Sequence, residues 1–160
     1  MRLVVILHNI RSLHNVGSIF RTSDGAGVEK LYLCGITPVP VDRFGNIRKE
    51  VAKVALGAER AVPWEHAVRT APLLARLARA GWHLLAVEQS RTAEDIGKAL
   101  PRLRREKKIA VLLGEEVRGV PPALLRRVER VVEIPMYGKK ESLNVSVAAG
   151  IALFALRSSR

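Results

Sequence analysis

Apolar residues fall in short runs of strand length that alternate with stretches of helical spacing. Leu3 to Leu7 is the first run and empties into the polar segment His8 to Gly17. From Ser18, the positions of Ile19, Phe20 and Ala26 predict a helix ending near Gly27, and Lys30 to Cys34 reads as a second strand. Gly35 to Phe44 carries Pro38 and Pro40 and reads as an irregular connection. A short helix is predicted over Arg48 to Leu56 and an edge segment over Arg60 to Pro63. Glu65 to Arg79 reads as a longer helix on Val68, Leu73, Leu74, Leu77 and Ala78, split by Pro72 and ended by Gly81. Trp82 to Glu88 (strand), Thr92 to Leu100 (helix), the basic turn Pro101 to Lys108, Ile109 to Leu113 (buried strand) and Ala123 to Val128 (helix) follow. Arg130 to Ile134 is the last strand, stopped by Pro135. Ser142 or Asn144 then caps a final helix running through Val145, Ala149, Ala152 and Leu156.

Strands alternating with helices predict an α/β fold with a mostly parallel sheet, because the crossovers are too long for hairpins. No linker or repeat divides residues 1–160, so a single domain is expected, with no separate RNA-binding domain. In such sheets ligands sit beyond the carboxyl ends of strands. Three strand-ending loops are therefore the candidate sites: Asn15 to Arg21, Gly114 to Gly119, and Pro135 to Ser146.

Charge narrows the partner. Lys and Arg total 27 against 15 Asp and Glu, a formal net charge of +12, which calls for a polyanion. Nucleic acid fits best; no strongly apolar face opposes the basic clusters as a membrane-surface helix would require. The single Cys34 excludes an internal disulfide, and MRLVVIL resembles no signal peptide, so a cytoplasmic protein is expected. His8, His14, His66 and His83 form no close ligand pair, and no metal site is expected. Neither a G-x-G-x-x-G finger nor a G-x-x-x-x-G-K-[ST] loop is present, which removes most support for a dinucleotide-binding protein or an NTPase.

Asn15-Val16-Gly17-Ser18-Ile19-Phe20-Arg21, Leu113-Gly114-Glu115-Glu116-Val117-Arg118-Gly119, and Ile134-Pro135-Met136 followed by Ser142-Leu143-Asn144-Val145-Ser146 resemble, in order, the three motifs of the SpoU/TrmH family of SPOUT methyltransferases. The resemblance covers nearly the whole chain. It implies a SAM-dependent RNA ribose 2′-O-methyltransferase with a C-terminal trefoil knot, acting as a homodimer. Leu85, Gly114, Ile134, Met136, Ser142 and Leu143 would then hold SAM. Arg21, Asn15, Glu116 and Asn144 would serve catalysis, and Arg11, Arg21 and Arg118 would contact RNA. The compact chain favours tRNA as substrate, with ribosomal RNA as the alternative. A different class of function, an RNA-binding or ribosome-assembly module without efficient catalysis, fits the charge equally well; the intact motif residues favour the enzyme.

Overall fold

The computed structural model describes residues 1–158; the last two positions of the expected domain lie outside the described residues. Seven strands form one sheet: β1 (Arg2–His8), β2 (Lys30–Cys34), β3 (Trp64–Ala67), β4 (His83–Val87), β5 (Glu94–Asp95), β6 (Lys108–Leu113) and β7 (Arg130–Glu133). Their spatial order is β3-β2-β1-β6-β4-β7-β5, and every pairing is parallel. The central strands β1 and β6 are nearly continuous apolar runs because both of their faces are covered.

Alternation along the strands divides the core into two layers. Leu3, Val5, Leu7, Leu85, Val111 and Leu113 pack against α1 (Leu13–Gly25), α2 (Lys49–Ala55), α3 (Ala58–Ala61), α5 (Ile96–Leu103) and α7 (Val145–Arg157). Val4, Ile6, Tyr32, Leu84 and Leu112 face α4 (Thr70–Arg79) and α6 (Pro122–Leu125). Val16, Ile19 and Phe20 turn inward from α1, and Gly17 lets α2 approach, since a Cβ there would stand 2.9 Å from the Val51 carbonyl oxygen. Among the described residues no helix is long and apolar enough to cross a membrane.

The parallel α/β expectation is met, with four local corrections. The first helix starts at Leu13 rather than Ser18, because Ser12 caps it by accepting a hydrogen bond from the Asn15 N–H at 3.2 Å. Ala58–Ala61 is a helical turn, and the edge strand comes after it, at Trp64–Ala67, inside the stretch expected to be helical. Val68, counted there as a core position, is accordingly 78% exposed. Pro72 does not split α4: it sits in the first turn, where its missing N–H would have had no helical partner. The helix expected over Thr92 to Leu100 begins after β5, at Ile96, and runs through Pro101 to Leu103. Burial of Ile96, Ala99 and Leu103 along one face outweighs the proline's lost bond.

The helices α1 and α7 lie side by side and are fastened at both ends. At one end the Asn144 side-chain amide donates to Asn15 Oδ1 at 3.1 Å. At the other, Arg157 Nε donates to the Ala26 carbonyl and Nη1 to that of Met1, both at 2.7 Å.

Candidate functional site

The loops that leave β4, β6 and β7 converge on one cleft at the carboxyl edge of the sheet. Its wall is formed by Val87, Glu88 and Gln89 after β4; by Leu113 to Gly119 after β6; and by Ile134, Ser142, Leu143, Val145 and Ala148 around the entry to α7. Parallel strands deliver all three loops to the same rim, so residues far apart in sequence meet there.

Gly114 is packed directly against backbone within this wall. It is buried, and a Cβ on it would run into the backbone of Gly119 and Val120. The loop 114–120 is therefore folded back on itself, with Gly119 N–H donating to the Glu115 carbonyl at 2.9 Å. Glu88 locks it from the neighbouring strand: its carboxylate accepts from the Val120 N–H at 2.6 Å and from the Gln89 N–H at 2.9 Å. Gln89 in turn donates its side-chain amide to the Ile134 carbonyl at 3.2 Å, tying the third loop in.

A second network closes the cleft against α1. Glu116 accepts from the Arg11 N–H at 3.1 Å, the Ser12 N–H at 3.2 Å and the Asn15 side-chain amide at 3.0 Å. Asn15 also receives the Asn144 amide, while Asn144 Oδ1 caps α7 by accepting from the Ser146 N–H at 2.8 Å. Three residues from three motifs thus form one clasp, Glu116 to Asn15 to Asn144. Burial, the largest single influence on Glu116, would raise its pKa. The hydrogen bonds from Asn15 and from the backbone N–H groups of Glu116, Arg11 and Ser12 together outweigh it and hold the carboxyl below its ordinary value of 4.5.

A depressed carboxylate pKa contributes stability that is present above the unfolded value and is lost as pH falls through the folded one. The clasp should therefore loosen only below about pH 4.5. Thermal melts of the wild type are expected to fall more steeply than those of Glu116→Gln as the pH drops below about 4.5. Parallel curves for the two proteins would mean that the carboxylate does not hold the clasp.

Of the residues expected to bind cofactor, Gly114, Ile134, Ser142 and Leu143 stand in the cleft wall. Leu85 does not: it is fully buried in the core layer under the helices, and the chain reaches the cleft two residues later, at Val87. Met136 also lies outside the wall, on the loop between Ile134 and Ser142. Asn15, Glu116 and Asn144 are brought together, but as the clasp. Arg118 lines the cleft, and Arg11 flanks it through its backbone bond to Glu116. Arg21 is set apart: it is exposed, six residues along α1 from Asn15, or roughly 9 Å at the rise of a helix. Glu88 and Gln89 were not singled out from sequence. The signal available is an acidic residue directly after the apolar run Leu84 to Val87, which marks a strand's carboxyl end but no particular task.

Over nearly its whole length the chain is similar to known proteins. A 23S rRNA (guanosine-2′-O-)-methyltransferase RlmB from Ralstonia nicotianae is 34% identical over 152 residues, which is 95% of this chain and 57% of the relative. The chain thus spans little more than half the length of the curated relatives it matches. An AdoMet-bound rRNA methyltransferase from Sinorhizobium meliloti superposes with a TM-score of 0.80 at 29% identity, covering 98% of this chain and 56% of that one. A structure described as giving insight into the 2-OH methylation of C/U34 on tRNA superposes with a TM-score of 0.79 at 26% identity, covering 97% of this chain and 93% of that one. Since the profile of the SpoU rRNA Methylase family also matches residues 2–154, nearly the whole α/β unit and its cleft, the chain belongs to that family.

Proposed function

We propose that this chain is the catalytic domain of a SAM-dependent RNA ribose 2′-O-methyltransferase acting on ribosomal RNA. The observation that carries the reading is the cleft itself, walled by the close-packed turn Gly114 to Gly119 and by the apolar side chains of Ile134 and Leu143, at the meeting point of three strand-ending loops. Backbone groups there suit the polar edge of an adenine, and the two aliphatic side chains suit its faces. SAM, when bound, supplies an electrophilic methyl group on a sulfonium.

The chain's own part is to bind, orient and hold. Glu88 and the clasp keep the three loops in register, which limits reorganisation when ligand enters. Arg21 presents its guanidinium to a phosphate beside the target ribose, where two parallel N–H donors fix the nucleotide's orientation. It does not take the hydroxyl proton, since a guanidinium remains protonated in proteins; a substrate phosphate or another base accepts it.

A homodimer belongs to this reading. Val147, Ile151 and Phe154 form an exposed apolar stripe on α7, at 49%, 41% and 50% exposure. Gly25 lies against Phe154, and His14, Ser18, Arg21 and Gly25 share one face of α1. A second copy packed on the stripe would bury it and bring Arg21 to the seam. A trefoil knot in the C-terminal segment is part of the same proposal, and membership of the family supports it.

Ribosomal RNA is preferred to tRNA because the curated relatives that match across 95% of the chain are named as 23S rRNA methyltransferases. The tRNA reading remains the second, favoured by the near full-length match to the structure concerned with C/U34 of tRNA. Titrating SAM into the folded chain should give saturable 1:1 binding. Labelled SAM with ribosomal RNA and tRNA pools should then place ribose methyl groups in the former. A folded chain that binds RNA but no SAM would instead be an RNA-binding or ribosome-assembly module, and methyl groups confined to tRNA would reverse the substrate preference.

A further inference from the structure

Aromatic residues are scarce in this chain, with Phe 3, Trp 2 and Tyr 2, and a folded protein gains most by burying them. Phe44 is nevertheless 73% exposed. It sits at the tip of a turn between β2 and α2 whose backbone is fixed on both sides. Val41 and Ile47 form an antiparallel bridge, and Asp42 Oδ1 accepts from the N–H groups of Phe44 at 2.8 Å and Asn46 at 3.0 Å. Arg48 Nε closes the base by donating to the Val41 carbonyl at 3.1 Å. At the tip the Arg43 guanidinium lies 4.7 Å from the centre of the Phe44 ring. A flat ring and a cation are thus held outward together on an ordered turn.

The turn is joined to the cleft through a short series of hydrogen bonds. Where the segment leaves β2, the Ile36 N–H donates to Asn9 Oδ1, and the Ile10 N–H donates to Thr37 Oγ1, each at 3.1 Å. The next two N–H groups of that loop, from Arg11 and Ser12, hold Glu116. Since β2, β1 and β6 are adjacent and parallel, the turn springs from the same rim as the cleft, two strand spacings or roughly 10 Å to the side. Arg11, Arg43 and Lys49 are exposed on these segments; of the acidic residues there, Asp42 is engaged with the turn's own N–H groups and Glu50 is exposed.

A stacked cation and ring beside basic side chains suits an unpaired nucleotide, whose base offers a π-face and whose phosphate is anionic. The second copy proposed above has its own apolar stripe on α7 to pack against, and this charged tip offers it no comparable apolar surface. We propose that the Arg43–Phe44 tip is a stacking platform for an unpaired base of the bound RNA, and so a determinant of which RNA the domain accepts. The proposal rests on the RNA reading above but not on methyl transfer.

The test is titration of the full chain into a single-stranded oligoribonucleotide of about twelve residues carrying 2-aminopurine, whose fluorescence is quenched by stacking. Phe44→Ala should weaken binding by roughly tenfold and abolish the quench, whereas Phe44→Trp should preserve both. Phe44→Leu separates stacking from simple apolar contact and should behave like the alanine variant. Arg43→Gln should reduce the slope of log affinity against log salt by about one, while Phe44→Ala leaves it unchanged. SAM affinity should be the same in all variants. The platform is overturned if Phe44→Ala binds the oligonucleotide as the wild type does, if leucine serves as well as tryptophan, or if Phe44→Ala alters the sedimentation of the RNA-free protein. Loss of SAM binding in the wild type would sink the methyltransferase reading and leave the platform standing.

Discussion

Arg21→Ala is expected to lower kcat/KM for methyl transfer by roughly 10²- to 10³-fold while the fold and SAM affinity stay as they are. The side chain is exposed and makes no ion pair or hydrogen bond with any described residue, so the folded state does not depend on it. A substitution at such a position shifts stability by about 0.5 kcal/mol or less. Its proposed role requires two parallel donors on one phosphate, which lysine lacks, so Arg21→Lys should recover only part of the loss despite keeping the charge. Single-turnover rates and RNA affinities for the three proteins are the relevant measurements. Full rate with unchanged RNA affinity in Arg21→Lys would count against the bidentate role, and a large drop in melting temperature in Arg21→Ala would make it a structural residue.

Gly114→Ala should remove SAM binding more thoroughly than any polar substitution in the cleft. The added methyl would overlap the backbone of Gly119 and Val120, neither of which can move aside as a flexible side chain can. The segment 115–119 would have to shift, and with it the bond from the Val120 N–H to Glu88. Overpacking of this kind costs about 1–3 kcal/mol, equivalent to a loss of roughly 5- to 150-fold in affinity if it falls on the ligand-binding conformation. Calorimetry with SAM and a thermal melt read the two consequences together; both should decline, the melt by several degrees. An alanine variant that binds SAM like the wild type and melts at the same temperature would refute the close-packed cradle.

The two variants bear on different halves of the site. Gly114 belongs to a rigid frame set by β4, β6 and β7, and Arg21 to the outer face of α1. The clasp of Glu116, Asn15 and Asn144 lies between them. It supplies the physical reason that three separated motifs share polar residues, since each fastens one element to the next. A carboxylate and two carboxamides read from sequence as candidates for chemistry become, in the fold, largely the means by which loops are held.

Local rules made much of this legible. The apolar runs at β1 and β6 read as buried strands and are so, and of the two possible caps of the last helix, Ser142 and Asn144, it is Asn144 that accepts from the backbone two residues on. The errors came where short segments were settled by distant partners. Trp64–Ala67 is helical by its neighbours' pattern, yet it pairs with β2, and that ladder decides its state. Leu85, which the family resemblance implies as a cofactor contact, has its side chain in the core layer under the helices, and the chain reaches the cleft wall at Val87.

Sequence alone determined the α/β class, the strongly positive net charge and, through three motifs, the family, because periodicity, charge and motif order are properties of the linear chain. Tertiary structure alone decided that Glu88 bonds the loop after β6, that Gly114 has no room for a methyl group, that Arg21 stands roughly 9 Å along α1 from the clasp, and that Phe44 is displayed rather than buried. Those facts depend on distances between segments many residues apart, which the sheet fixes only once all of its strands have paired.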